Sequence, residues 1–376
     1  MKKQILLTPG PTPLPNGVRE ALSRPMIHHR TGLYQEIFKE VVEGLKTVFQ
    51  TQNDLFIFTS SGTGAMETAV VNFLSPGDKV AVIISGKFGE RWGNICQAYG
   101  LETILLPVTW GEACSPDSLA ETLRKEKNVK AVYATLCETS TGARHDIEAL
   151  TRVAHDHGAI IIVDAISGLA ADPLLTDRWD VDVVVSGSQK ALMLPPGLSF
   201  ISVGAKAWEL AKSARLPRFY FDLLQTKKAW QKFDSPFTPA ISLIVALRES
   251  LKRIQKKGME KVWKEAEALA SLTRKGVHRL GLSLFSKAPS SALTAVNVPE
   301  GVDGKRLVQA LRDKHGIWVA EGQGELEGKI FRIAHMGYIR KQDIQLCLTA
   351  LEKELKGTHS GQMEIMTNTK AQMTNE

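Results

Sequence analysis

Cysteine is scarce in this chain. The four present, Cys96, Cys114, Cys137 and Cys347, stand far apart and form no CxxC pair. Neither a disulfide framework nor a zinc site is indicated, and the usage fits a reducing cytoplasm. Long apolar runs are missing too. The start, Met1-Lys2-Lys3-Gln4-Ile5-Leu6-Leu7, is basic then apolar but stops at Thr8-Pro9-Gly10. That is too short for a secretory core, and no run approaches membrane-spanning length. There is also no basic stripe with interleaved aromatics. Net charge is +7, but 47 Lys and Arg are mixed with 40 Asp and Glu. Nucleic acid is therefore not favoured, whereas anionic small molecules suit a mildly basic protein. The remaining composition is that of a globular protein with a sizeable core: 376 residues, 43% hydrophobic and 23% charged. The length suggests two or three domains.

The hydrophobic pattern alternates between two periods. Residues 33–50 put Ile37, Val41, Leu45 and Val48 on one helical face. Short apolar strands are expected at Leu55–Phe58, Val80–Ile84, Thr103–Leu106, Ala131–Thr135, Ile160–Val163 and Val181–Val185. Helices are expected between them, over 64–73, 88–99, 116–126 and 146–157. His155 and His157 lie two apart, off a common helix face. Favourable charge at a helix end suits them better than a metal site. Continuous apolar strands separated by helices predict an α/β fold, with a mostly parallel sheet sandwiched by helices. Long helices over 242–256 and 258–280 follow. Strands near 292–298 and 329–334 and helices near 303–314 and 341–355 then predict a smaller α+β C-terminal domain. The expected division is an N-terminal arm over 1–20, a large domain over 21–245, a small domain over 246–357 and a tail over 358–376.

Chemistry-bearing residues cluster at the strand ends. Val163-Asp164 closes one apolar strand, and Val185-Ser186-Gly187-Ser188-Gln189-Lys190 leads out of another. A lysine amine can form an imine with a cofactor aldehyde, and a carboxylate can hold a pyridine nitrogen protonated, as pyridoxal phosphate chemistry requires. Taken singly, each is ordinary: a solvated strand end, a turn or helix cap. Ser60-Ser61-Gly62-Thr63-Gly64-Ala65 sits between strand and helix, where backbone N–H groups favour an anion. It is neither a G-x-G-x-x-G fingerprint nor a P-loop. Phe88 and Thr139 also follow apolar strands. The first can stack on a ring or fill a core; the second can offer a hydroxyl or simply make a turn. Arg332 is a lone arginine in the apolar run Phe331-Arg332-Ile333. A buried arginine needs a partner. A substrate carboxylate and a structural ion pair both qualify.

These motifs together resemble the class V group of fold-type I pyridoxal phosphate aminotransferases. The likeness is greatest to the alanine–glyoxylate and serine–glyoxylate (serine–pyruvate) enzymes. It runs from Pro9-Gly10-Pro11 to the last helix. The motifs are the Gly62-Thr63 turn, Glu138-Thr139-Ser140-Thr141-Gly142, Val163-Asp164, Ser186-Gly187-Ser188-Gln189-Lys190, Pro195-Pro196-Gly197 and Phe331-Arg332-Ile333. The resemblance implies Lys190 as the Schiff-base lysine and Asp164 as the pyridinium partner. It implies Ser61, Gly62, Thr63 and Gln189 around phosphate, Phe88 and Ile166 on the two ring faces, and Thr139 near the ring. Ser235 and Thr238 would reach a partner subunit's phosphate in a homodimer with shared sites. Arg332, beside Gly10, would grip the carboxylate of an amino acid or 2-oxo acid. No metal, nucleic acid or membrane is implied. In Met26-Ile27-His28-His29-Arg30-Thr31, Arg30 is placed either to read a second carboxylate, admitting aspartate or glutamate, or to sit on a surface loop. Cysteine desulfurases share the fold, but they carry histidine before the lysine and a loop cysteine. This chain has Gln189 and no cysteine between Cys137 and Cys347. A non-catalytic binding subunit is the remaining alternative.

Overall fold

The structure, a computed structural model, describes residues 4–356. The expected tail and the first three residues of the expected arm lie outside that range. Seven strands form the main sheet: β1 (Asp54–Phe58), β2 (Lys79–Ile84), β3 (Glu102–Pro107), β4 (Ala131–Thr135), β5 (Ile160–Asp164), β6 (Val183–Gly187) and β7 (Ser199–Val203). Their order is β1-β7-β6-β5-β4-β2-β3. The pairs from β6 through β3 are parallel, and β7 runs antiparallel to both its neighbours. β7 was not anticipated, because Ser199 and Ser202 break its apolar run.

Alternation along each strand builds two cores. Ala81, Ile83, Val132, Ala134, Ile161, Val163 and Val184 face one layer of helices. Val80, Val82, Tyr133, Ile160, Ile162, Val183 and Val185 face the other. The first layer includes helix Gly32–Phe49, capped by Thr31, with Ile37, Val41, Leu45 and Val48 all buried as the periodicity predicts. Helix Ile147–Asp156 also belongs to it, capped by Asp146, which accepts from Ala149 N at 3.0 Å. His155 does more than balance that helix's dipole. Its Nε2 lies 2.8 Å from an Asp182 carboxylate oxygen.

A second unit surrounds a three-stranded antiparallel sheet of β8 (Leu293–Asn297), β9 (Ala320–Glu321) and β10 (Ile330–Ala334), in the order β8-β10-β9. Its own core holds Leu307, Leu311, Phe331, Ile333 and Ile344. The N-terminal Ile5–Leu6 pairs in parallel with Ile317–Trp318, which ties the arm to this unit. Helix Ile241–Lys257 runs unbroken through the division expected at 245/246. Its Ile244, Leu247 and Leu251 join the core of the main sheet.

Candidate active site

The site lies where the parallel strands end in carboxyl termini, the edge at which open α/β sheets gather ligands. Asp164 is the last residue of β5. It is 3% exposed and accepts the Ile166 N–H at 2.7 Å. Burial pushes its carboxyl up to about 7, against the Ile166 bond. Lys190 follows β6 by three residues. Burial pulls its amine down to about 8, while the charges of Asp164 and Cys137 work upward and those of Arg332 and Arg91 downward. The amine donates to the Pro9 carbonyl of the N-terminal arm. Gly10 sits at φ +114°, backbone that side chains rarely adopt, and its missing Cβ leaves room for the Lys190 amine.

The Ser61-Gly62-Thr63 run opens a helix. Helix Gly62–Val71 begins two residues earlier than its periodicity suggested, so Gly62 is its first residue, and Ser61 gives no side-chain cap. Uncapped N-terminal N–H groups suit an anion. A Cβ on Gly62 would strike Ile166 Cδ1 at 2.5 Å, and one on Gly187 would lie 3.5 Å from Gly62. The chain therefore closes in at this point to leave a narrow seat. The Gln189 side-chain Oε1 is buried beside it with no hydrogen-bond partner. Turning that amide over presents a donor instead. The orphaned amide, the bare helix end and the depressed lysine fit a phosphorylated aldehyde.

The remaining residues fall into place unevenly. Phe88 is half-buried and carries the Arg91 guanidinium 4.8 Å from its ring centroid. Arg91 also donates to Thr63 Oγ1 at 3.2 Å. The sequence reading gave Arg91 no role, because it looks like an ordinary exposed helix residue. Thr139 is buried and its hydroxyl lies 2.6 Å from Ser167 Oγ, a second residue the motifs did not single out. Arg332 is 5% exposed. Its Nε and Nη2 donate to Glu321 O, and Nη1 donates to Thr139 O at 2.9 Å and to Gln323 Oε1 at 3.4 Å. All these partners are neutral. Burial lowers its pKa to about 10, and only the charge of Glu138 works the other way. Among the described residues no salt bridge to Arg332 exists. The alternative of a structural ion pair is thus absent from this arrangement.

Ser235 and Thr238 stand apart from this group. Their segment packs against Phe58, Thr59 and Tyr220, and Ser235 Oγ bonds Phe237 O at 2.7 Å. Arg30 is exposed, on a loop where His28 and His29 stack at 4.8 Å. It touches none of the groups around Lys190. Among the described residues, no group of three His, Cys, Asp or Glu could hold a metal ion. No helix there is long and apolar enough to cross a membrane.

Comparison with known proteins identifies the family. The class V aminotransferase family profile matches residues 16–341. A protein of Synechococcus named as the small subunit of a soluble hydrogenase is 43% identical over 358 residues, covering 94% of this chain and 93% of the relative. The L-aspartate–glyoxylate aminotransferase of Paracoccus denitrificans is 38% identical over 88% of this chain and 86% of its own. The crystal structure of alanine–glyoxylate aminotransferase from Nostoc superposes with a TM-score of 0.91 at 31% identity, covering 94% of this chain and 96% of that one. The sheet order, the strand-end lysine and acid, and the matched profile lead to one assignment: the chain belongs to the class V aminotransferases, and it is an aminotransferase of the mostly parallel α/β fold.

Proposed function

We propose that this enzyme transfers an amino group from a small amino acid, such as alanine or serine, to a 2-oxo acid such as glyoxylate or pyruvate, with pyridoxal 5'-phosphate as cofactor. The observation that carries the reading is the buried Arg332 cation. It is within electrostatic reach of Lys190 and hydrogen-bonded only to neutral oxygens. Such a charge asks for an anion, and a carboxylate can displace the long Gln323 contact and bind the guanidinium fork.

Pyridoxal phosphate supplies an aldehyde for a lysine and a protonatable ring that withdraws electrons from the substrate α-carbon. The chain's own residues do the rest. Gly62, Thr63, Ser61 and Gln189 would hold the phosphate. Ile166 and Phe88 would pack on the ring faces, with Thr139 near the ring. Asp164 would keep the ring nitrogen protonated. Lys190, whose amine burial pulls down to about 8, would take the proton from the substrate α-carbon and hold it for return. Arg332, with Gly10 beside it, fixes the substrate carboxylate so that this proton faces the lysine.

The enzyme works as a homodimer, with Ser235 and Thr238 serving the partner's phosphate. This is supported by large apolar side chains left in solvent, Met26, Leu33 and Phe219, which are 69%, 54% and 76% exposed. The four cysteines are free and buried, in keeping with a cytoplasmic setting. A second reading, aspartate as donor, is favoured by the Paracoccus relative's name, and a hydrogenase-linked binding role by that of the Synechococcus relative.

One experiment separates these readings. The purified protein is expected to absorb in the visible and to lose that band when an amino donor is added. A screen of amino acids then identifies the donor. Lys190→Ala is expected to abolish turnover. A colourless wild type that ignores added cofactor supports the binding role, and full turnover in the Lys190 variant overturns the assignment.

A further inference from the structure

Glu138 is a buried acid with no part in the scheme above. It is fully buried, at the end of the short strand Cys137–Glu138. Its Oε2 accepts the backbone N–H groups of Phe88 and Gly89, both at 3.0 Å. Its Oε1 accepts Ser140 N at 3.1 Å and Ser140 Oγ at 2.5 Å. Ser140 Oγ in turn accepts Lys87 N at 3.0 Å.

These bonds cap a helix from outside. Helix Lys87–Ala98 starts after Gly86, which has no side chain to cap with. A Cβ on Gly86 would lie 2.7 Å from the Glu138 carboxyl carbon and 2.3 Å from Ser140 Oγ. Position 86 is therefore glycine so that this carboxylate can reach the first turn, and the first turn carries Phe88. Three backbone N–H groups and a hydroxyl converge on two oxygens, a set that an acceptor-only group meets in full. An amide meets it in part. Its oxygen can serve Phe88 and Gly89, and its NH2 then faces the Ser140 N–H.

The next residue holds the other half of the site, because Thr139 O accepts Arg332 Nη1 at 2.9 Å. The ring-facing turn and the carboxylate clamp thus hang from two successive residues. Burial raises the Glu138 carboxyl while its hydrogen bonds lower it.

We infer that Glu138 is a positioning residue that keeps the Phe88 ring and the Arg332 guanidinium in register across the cofactor seat. The inference rests on the aminotransferase reading of that seat. The test uses Glu138→Ala, Glu138→Gln and Phe88→Leu. The readouts are amide hydrogen exchange at Phe88 and Gly89 in cofactor-free protein, induced circular dichroism of bound pyridoxal phosphate, and the split between KM and kcat. Glu138→Ala is expected to speed exchange at both amides and raise KM for the amino donor roughly ten- to hundredfold, as loss of charge-assisted hydrogen bonds implies. It should also weaken the induced dichroism, and Phe88→Leu combined with it should add little further loss. Glu138→Gln is expected to restore most of the exchange protection and the dichroism. A folded Glu138→Ala protein with wild-type exchange, dichroism and KM overturns the inference. Should that variant not fold, Glu138→Gln and Ser140→Ala decide. Ser140→Ala is expected to shift the same dichroism band and Glu138→Gln to keep it; no shift in either overturns the inference. A wild type that binds no pyridoxal phosphate overturns the functional reading instead, and the exchange data still judge the clamp.

Discussion

At the residue scale, Lys190 and Asp164 titrate in opposite directions from their ordinary values for one reason: burial disfavours whichever form is charged. The lysine is brought down from 10.5 to about 8 and the acid up from 3.8 to about 7. The rate at which cofactor-free protein captures pyridoxal phosphate is therefore expected to climb through about pH 8 and level off. A rise that continues to 10.5 in stopped-flow absorbance would contradict the depressed amine. Stability follows by linkage. Between 3.8 and about 7 the native state of the cofactor-free protein holds a proton on Asp164 that the unfolded chain has lost. Asp164 thus erodes stability as pH rises across that window. Lys190 acts the other way between about 8 and 10.5, where the unfolded chain binds the extra proton. Asp164→Asn is expected to gain more stability at pH 8 than at pH 4 in urea melts of the cofactor-free protein; equal gains at both would refute the shift. Lys190 and Asp164 were legible in sequence because Asp164 closes a wholly apolar run and Lys190 follows another within a few small or polar residues, where a charge stands out. Glu138 ends a two-residue strand before a run of small hydroxyl residues and showed nothing of its partners, Phe88 and Gly89, about fifty positions away.

At the element scale, the strands and most helices followed from pattern because the inner main-sheet strands feed two cores by simple alternation. The failures have local causes. β7 carries two serines in an apolar run, and one of them, Ser199, is only 2.7 Å from Ser60 Oγ across the sheet. Such polar pairing is invisible along the chain. The short helices Asn16–Leu22, Ala205–Ala211 and Leu223–Trp230 offer too few turns for a periodicity to register. Helix Lys87–Ala98 presses on β2 at one glycine. A Cβ on Gly89 would sit 2.5 Å from Ile83 O and 3.0 Å from Ile84 Cα, both backbone atoms that cannot swing aside. Gly89→Ala is expected to destabilise the fold by about 1–3 kcal/mol, the usual cost of overpacking, and to weaken cofactor binding by lifting the Phe88 turn. An unchanged denaturation midpoint would show that the helix can slide.

At the scale of the whole molecule, Met26, Leu33 and Phe219 are large apolar side chains that a single chain leaves in solvent. Phe219 lies 5.7 Å from Phe237, which also stacks on Tyr220 at 5.0 Å, in the segment that carries Ser235 and Thr238. Phe219→Asp is expected to shift sedimentation from dimer toward monomer and to lower cofactor affinity together. A monomeric wild type with full cofactor affinity would refute the shared site. The order of residues along the chain was enough to indicate the class of sheet and to single out its strand ends with the lysine and acid beside them. Apolar period and strand-end charge are local properties, and local properties survive in one dimension. Only the folded molecule decided that Arg332 has neutral partners, that Gln189 is left with an unused oxygen, and that Glu138 ties Phe88 to the turn that begins at Thr139. Those facts depend on which distant segments pack together, and packing is settled by the whole core at once.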